Sequence, residues 1–167
     1  MHTIRPERSS DVPGIRHVNL SAFETDLEAN IVDALRVQAE PLISLVAVSD
    51  EIIVGHILFS PVRLLSQPDL PIMGLAPMAV VPARQRQGIG SDLVRAGIDE
   101  CRAAGCVGVV VLGHAEYYPR FGFTPASQFG LVSEYDVPDE VFMAMELASG
   151  VFRGNAGTIR YHAAFSA

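Results

Sequence analysis

Pro82-Ala83-Arg84-Gln85-Arg86-Gln87-Gly88-Ile89-Gly90-Ser91 is the stretch on which the reading of this chain turns. The apolar run Leu75 to Val81 precedes it and a helix-patterned segment follows, so it reads as strand, tight turn and helix N-terminus. Such a junction directs several backbone N–H groups and the positive end of a helix dipole at one place, which suits a phosphate. Gly88 and Gly90 remove side chains that would hold a diphosphate off the backbone, and Arg84 and Arg86 add flanking positive charge. A turn of this composition also serves simply to pack a helix on a sheet.

Two nucleotide-binding loops do not fit. A P-loop requires Lys-Ser/Thr after its last glycine, where Ser91-Asp92 stands, and a dinucleotide fingerprint requires a third small residue where Leu93 stands. The pattern present is Gln-x-x-Gly-x-Gly, at Gln85, Gly88 and Gly90, after Leu-x-Pro-Met-Ala-Val-x-Pro at 75–82. It resembles motif A of the GCN5-related N-acetyltransferases, the GNAT superfamily. A second motif, Tyr117-Tyr118-Pro119-Arg120-Phe121-Gly122-Phe123, is similar to the segment that closes the family's fourth helix, and Gly157 to His162 looks like the tail of a subgroup of small bacterial GNAT proteins.

The resemblance implies an α/β fold in one domain, 1–167, with a mixed, mostly antiparallel central sheet flanked by helices. It implies that Gln85, Arg86, Gln87, Gly88, Ile89, Gly90 and Ser91 hold the pyrophosphate of acetyl-coenzyme A. Met78, Ala79 and Val80 would pair like a strand with the pantetheine arm and leave an N–H near the thioester oxygen, where charge develops on attack. Tyr118 matches the position that serves as general acid in many family members, protonating the departing thiolate. Packing of Tyr118 with Phe121 and Phe123 is the alternative. Tyr117, one residue away on a helix, would point elsewhere.

Many family members also carry a glutamate base on the strand before motif A, but Ile72 to Val81 contains no carboxylate. His114 and Glu116 after the strand at 107–112, and Glu24, Asp26 and Glu28 between the first two helices, are the substitutes. His114 is preferred, because imidazole titrates near working pH. The activity implied is acetyl transfer from acetyl-coenzyme A to a primary amine, on a small molecule or a peptide, by direct attack in a ternary complex. A longer acyl group is the variant, decided by space near Met78 and Phe59. A catalytically silent coenzyme A sensor is the rival reading, supported by the missing glutamate. Homodimers are common in the family, and no metal is implied.

The 167 residues suffice for one domain with a sizeable core, and 49% of them are hydrophobic, which argues against disorder. Twelve basic against nineteen acidic residues give a net charge of −7, poor for nucleic-acid or anionic-membrane binding. Cys101 and Cys106, the only cysteines, are too few for a zinc site and read as small buried apolar residues. Neither a signal segment nor an apolar run of membrane-spanning length is visible, so a reduced, cytoplasmic location is expected.

Along the chain, the pattern predicts a strand at 2–5, cap residues at Ser9-Ser10-Asp11, and a helix carrying Ile15, Val18 and Ala22. A second helix carries Leu27, Ile31 and Leu35. Strands at 42–48 and 52–59 form a hairpin, and Ser60 to Pro71, with three prolines, reads as a surface loop. A helix at 88–104 capped by Gly105, a buried strand at 107–112, a short helix at 115–121, and strands at 141–147 and 158–162 complete the pattern. His56 reads as structural, and Arg160-Tyr161-His162 either line the acceptor pocket or complete the sheet, the second being preferred.

Overall fold

A computed structural model describes residues 1–166; Ala167, the last residue of the expected domain, lies outside the described residues. The elements are β1 (Thr3–Pro6), α1 (Val12–Ala22), α2 (Leu27–Gln38), β2 (Ile43–Ser49), β3 (Ile52–Leu64), β4 (Ile72–Val80), α3 (Ile89–Ala103), β5 (Gly108–Leu112), β6 (Thr124–Pro125), β7 (Leu131–Ser133), β8 (Phe142–Glu146) and β9 (Gly157–Arg160). The main path of the sheet runs β1-β2-β3-β4-β5-β8-β6, with β9 joining β3 to β7. Its pairs are antiparallel except β4–β5 and β7–β9, which gives the mixed, mostly antiparallel sheet that the resemblance implies.

Strand alternation sorts β3 onto two faces. Ile57 and Phe59 join Leu93, Val94 and Ile98 of α3, while Leu58 joins Ile15, Val32 and Leu35 of α1 and α2. α3 approaches so closely that a Cβ on Gly97 would sit 2.1 Å from the Phe59 ring, so only glycine fits there. Phe59 is thereby fully committed to the helix contact. Cys101 and Cys106 are buried free thiols, as their reading required.

His56, between Ile57 and Gly55, points to the α1 face and is completely buried. A chain of hydrogen bonds holds it. Asn19 Nδ2 stands 3.3 Å from His56 Nδ1, and His56 Nε2 stands 2.9 Å from Ser44 Oγ. Ser44 Oγ donates to Glu7 Oε1 at 2.6 Å, and Arg36 Nε donates to Glu7 Oε2 at 2.8 Å. The donor order requires a neutral imidazole protonated on Nε2. Burial pushes the imidazole down to about 4, partly opposed by the charge of Glu7.

The unfolded chain therefore binds a proton at His56 that the folded one refuses. The folded-state pKa lies below the unfolded value, so stability is intact above pH ~6.5 and falls as pH drops toward ~4, by up to about 3 kcal/mol. Glu7, held below the usual carboxylate range by Arg36 and Ser44 against its own burial, adds a loss of the same sign at lower pH. Urea unfolding at pH 7 and pH 4.5 measures this, and His56→Gln should flatten the profile in that window while lowering stability at pH 7.

Four local expectations are corrected. The loop expected at Ser60 to Pro71 begins only after Leu64. Pro61 is tolerated inside β3 because β2 pairing ends at Phe59 and β9 pairing starts at Arg63, leaving one edge of the strand free between them. Ser9 to Asp11 form a 3-10 turn rather than a cap for α1. Asp11 accepts from Arg5 at 2.7 and 3.0 Å and from the Arg8 N–H at 2.7 Å. The short helix at 115–121 shrinks to a 3-10 turn, Tyr118–Phe121, stopped by left-handed Gly122. The strand expected through His162 ends at Arg160, because the Tyr161 N–H turns to the Glu134 carboxylate.

Candidate active site

β4 and β5 pair only from Ile72–Gly108 to Leu75–Val111. Against β3 on the other side, Ile57 faces Met78 while Phe59 faces Leu75, so Ala76 and Pro77 stand opposite Leu58 alone. That bulge bends β4 away from β5. Beyond it Met78, Ala79 and Val80 pair with β3 on one side and, among the described residues, have no strand on the other. A cavity of about 710 Å³ occupies the opening.

Its walls bring distant residues together. β4 supplies Met78, Ala79 and Val80, and the end of β5 supplies Leu112, Gly113 and His114. Tyr118 lines it from the 3-10 turn and Tyr117 from just before it, Phe23 and Glu28 from the α1–α2 region, Arg84, Gln85 and Arg86 from the turn before α3, and Gly90 from the start of α3.

That turn has an unusual backbone. Arg86 (φ 64°) and Gly88 (φ 86°) are both left-handed, the first an uncommon state for a residue with a Cβ. In consequence the N–H groups of residues 86–91 donate to no acceptor among the described residues. The ladder of α3 begins with the Asp92 N–H on the Gly88 carbonyl, at 3.0 Å. A concavity of free N–H groups at the N-terminus of a 15-residue helix has the geometry that suits an anion. Space before Gly88 is open, with no atom within 4 Å of an added Cβ. These features fit a diphosphate.

Individual roles within the turn differ. Gln85 Nε2 donates to the Val80 carbonyl at 2.9 Å and so ties the turn to β4. Gln87 is held at the rim, its Oε1 accepting from Arg84 Nε at 3.1 Å. Ile89 buries its side chain in the core under α3, which leaves only its N–H for a ligand. Ser91 Oγ lies 3.1 Å from the Tyr117 hydroxyl. Gln87, Gly88, Ile89 and Ser91 thus stand around the turn without lining the cavity itself. Arg86 is exposed and makes no ion pair among the described residues.

The structure separates the titratable candidates that sequence placed together. His114 is exposed and borders both the main cavity and a neighbouring one, whereas Glu116 reaches only the neighbour. Of Glu24, Asp26 and Glu28, only Glu28 lines the main cavity. Phe59, expected near the acyl group, belongs to the α3 contact and does not line the cavity.

Tyr118 is buried, and burial pushes its phenol up to about 12, with Tyr117 adding to the effect. It packs edge-on to Phe123, ring centroids 5.8 Å apart, so the aromatic cluster and the cavity share this residue. Tyr117 was expected to point elsewhere, yet both tyrosines line the cavity. The cause is that Tyr117 precedes the 3-10 turn instead of sitting within a regular helix. No spacing rule in the sequence carried that signal.

Among the described residues no group of three or more His, Cys, Asp or Glu could hold a metal ion, and no helix is long and apolar enough to cross a membrane.

Comparison with known proteins agrees with this geometry. Residues 12–123 match the model of the Acetyltransferase (GNAT) family. The uncharacterized N-acetyltransferase YjhQ of Escherichia coli K12 is 44% identical over 135 residues, covering 78% of this chain and 75% of YjhQ. YhbS, also from Escherichia coli K12 and described in the same terms, is 35% identical over 98% of both chains. The crystal structure of Escherichia coli YhbS in complex with CoA superposes with a TM-score of 0.93, at 34% identity over 99% of this chain and 92% of that one. A GNAT family acetyltransferase from Brucella melitensis in complex with acetyl-CoA gives 0.81, at 37% identity over 99% and 98%. With a family match across most of its length and relatives alike from end to end, the chain belongs to the GNAT family of acetyltransferases.

Proposed function

We propose that this protein transfers the acetyl group of acetyl-coenzyme A to a primary amine. The observation that carries the reading is the run of free N–H groups at 86–91, opening beside a cavity that extends between the parted strands to Tyr118. The complexes of YhbS with CoA and of the Brucella protein with acetyl-CoA support the choice of donor.

Acetyl-coenzyme A supplies an activated thioester; the chain's residues do the rest. The backbone N–H groups of residues 86–91 and the Arg86 guanidinium hold the diphosphate. Met78, Ala79 and Val80 offer their unpaired strand edge to the amide-bearing arm. A backbone N–H of that edge stabilises negative charge on the thioester oxygen during attack. Tyr118 gives its hydroxyl proton to the sulfur as the C–S bond breaks and the N–C bond forms. His114 takes the proton that the nitrogen sheds and returns it to solvent, from which Tyr118 is reprotonated.

A phenol raised by burial is a weak acid, but the same desolvation makes a thiolate beside it a stronger base, so the transfer remains matched. The test is calorimetric titration with acetyl-coenzyme A, followed by thiol release on adding primary amines. Micromolar binding with amine-dependent thiol release is expected. Absence of binding by folded protein would overturn the donor assignment, and binding without release to any amine would favour a sensor.

A further inference from the structure

A further cavity, of about 670 Å³, shares no lining residue with the main one. It is bordered by Arg160 and His162, to which the acetyl-transfer reading gives no task, and by Arg63 near the end of β3. β9 is fixed here by two pairs with β3, Arg63 with Arg160 and Leu64 with Ile159, and by the Leu65 N–H on the Thr158 carbonyl at 2.9 Å. Leu64 and Ile159 are completely buried, so a slip of one residue would expose them and turn an arginine into the core. Residues directly opposite on antiparallel strands share a face, and the register therefore sets two exposed guanidinium side chains side by side.

A like-charged pair of this kind is unfavourable by itself. Among the described residues neither arginine makes an ion pair, although Glu40 and Asp69 border the same cavity. His162 accepts the Ala164 N–H on Nδ1 at 3.1 Å, so its neutral ring carries a proton on Nε2 as a third donor. The arginines are exposed and His162 is half-buried, which leaves all three open to a ligand.

We infer that this cavity binds a phosphate group, bridged between the Arg63 and Arg160 guanidinium groups with His162 as the third donor. Guanidinium forks pair bidentately with oxyanions, and one dianion between two of them turns their repulsion into attraction. A carboxylate saturates one fork, whereas a phosphate has charge and oxygens enough for both. Glu40 and Asp69 offset the arginines, and the chain carries a net charge of −7. That favours a compact anion gripped by hydrogen bonds over a polyanion drawn by a broad positive field. Binding here requires nothing of the acetyl-transfer reading.

The test is a titration of the ¹⁵N-labelled full chain with inorganic phosphate, followed by amide NMR shifts at constant ionic strength, with and without coenzyme A. Saturable shifts are expected around Leu64, Arg160 and Tyr161 under both conditions, and acetate should produce none. Arg63→Gln with Arg160→Gln should weaken phosphate by at least about tenfold, as loss of charged hydrogen bonds requires. Arg63→Lys with Arg160→Lys keeps the charge and loses the forks, and should fall between. Both double variants should keep a dispersed spectrum and the wild-type response to coenzyme A, which reports an intact fold. Glycerol 3-phosphate, run beside inorganic phosphate, distinguishes a phosphate monoester from the free ion as the preferred form, and saturable binding of either at these residues upholds the site. Shifts confined to residues 86–91, equal shifts with acetate, equal phosphate affinity in the double glutamine variant, or no saturable shift at all would each overturn it.

Discussion

Tyr118→Phe is expected to lower kcat by about 10²- to 10³-fold, the range for losing a positioned general acid, and to leave acetyl-coenzyme A affinity within about twofold. The substitution is clean. The Tyr118 hydroxyl makes no hydrogen bond among the described residues, and the ring keeps its packing against Phe121 and Phe123. Stability should therefore move by no more than about 0.5 kcal/mol. Because the phenol is pushed up to about 12, it stays protonated across the working range, so wild-type activity should not fall at alkaline pH through this group below about pH 11. Steady-state kinetics from pH 7 to 10, beside calorimetry with the donor, measure both halves. Retention of wild-type kcat in Tyr118→Phe would return Tyr118 to a packing role. Tyr117, hydrogen-bonded to Ser91, would then be the phenol to test.

Gly88→Asp is the second large effect, expected to weaken acetyl-coenzyme A by at least about 100-fold. Two like charges about 4 Å apart near a protein surface repel by about 4 kcal/mol before salt screening, and the introduced carboxylate would sit beside the free N–H groups proposed to hold the diphosphate. The fold should survive. Nothing lies within 4 Å of an added Cβ, the site is exposed, and aspartate is among the residues that tolerate a left-handed backbone best. A carboxylate at the start of α3 also satisfies orphan helix donors, which offsets the backbone strain. Gly88→Ala is the control: it carries the same strain without the charge, and should bind the donor within a few-fold of wild type. If both variants lost binding alike, backbone conformation and not charge would be the cause.

How much of this was readable in advance follows from the range of the forces involved. The strand, turn and helix start at 82–91 were legible because an apolar run, two glycines and a helix period are local signals. His56 was legible as structural because a lone histidine within an apolar strand has to be satisfied internally. The end of β3 was not, since Pro61 signals a break and is tolerated only because two distant strands leave a gap beside it. Arg86 in a left-handed state gave no sign, arginine having no local preference for it. Glu28 could be named only as one of three acids. Separating it from Glu24 and Asp26 required the packing of α1 and α2 against the sheet, and bringing Tyr117 into the cavity required knowing that a helix would fail to form.

The parting of β4 and β5 has a bearing on how this protein keeps its own chains apart. An unpaired strand edge normally invites a strand from another molecule, the first step toward aggregation. Here the unpaired edge at Met78 to Val80 lies inside a cleft, walled by the end of β5 and the two tyrosines, instead of on the rim of the sheet. Those walls hinder a folded neighbour from laying a strand there, while the amide-bearing arm of the proposed donor would be slim enough to enter. On the proposed reading, the same walls that shelter this edge from another chain leave it open to a narrow guest.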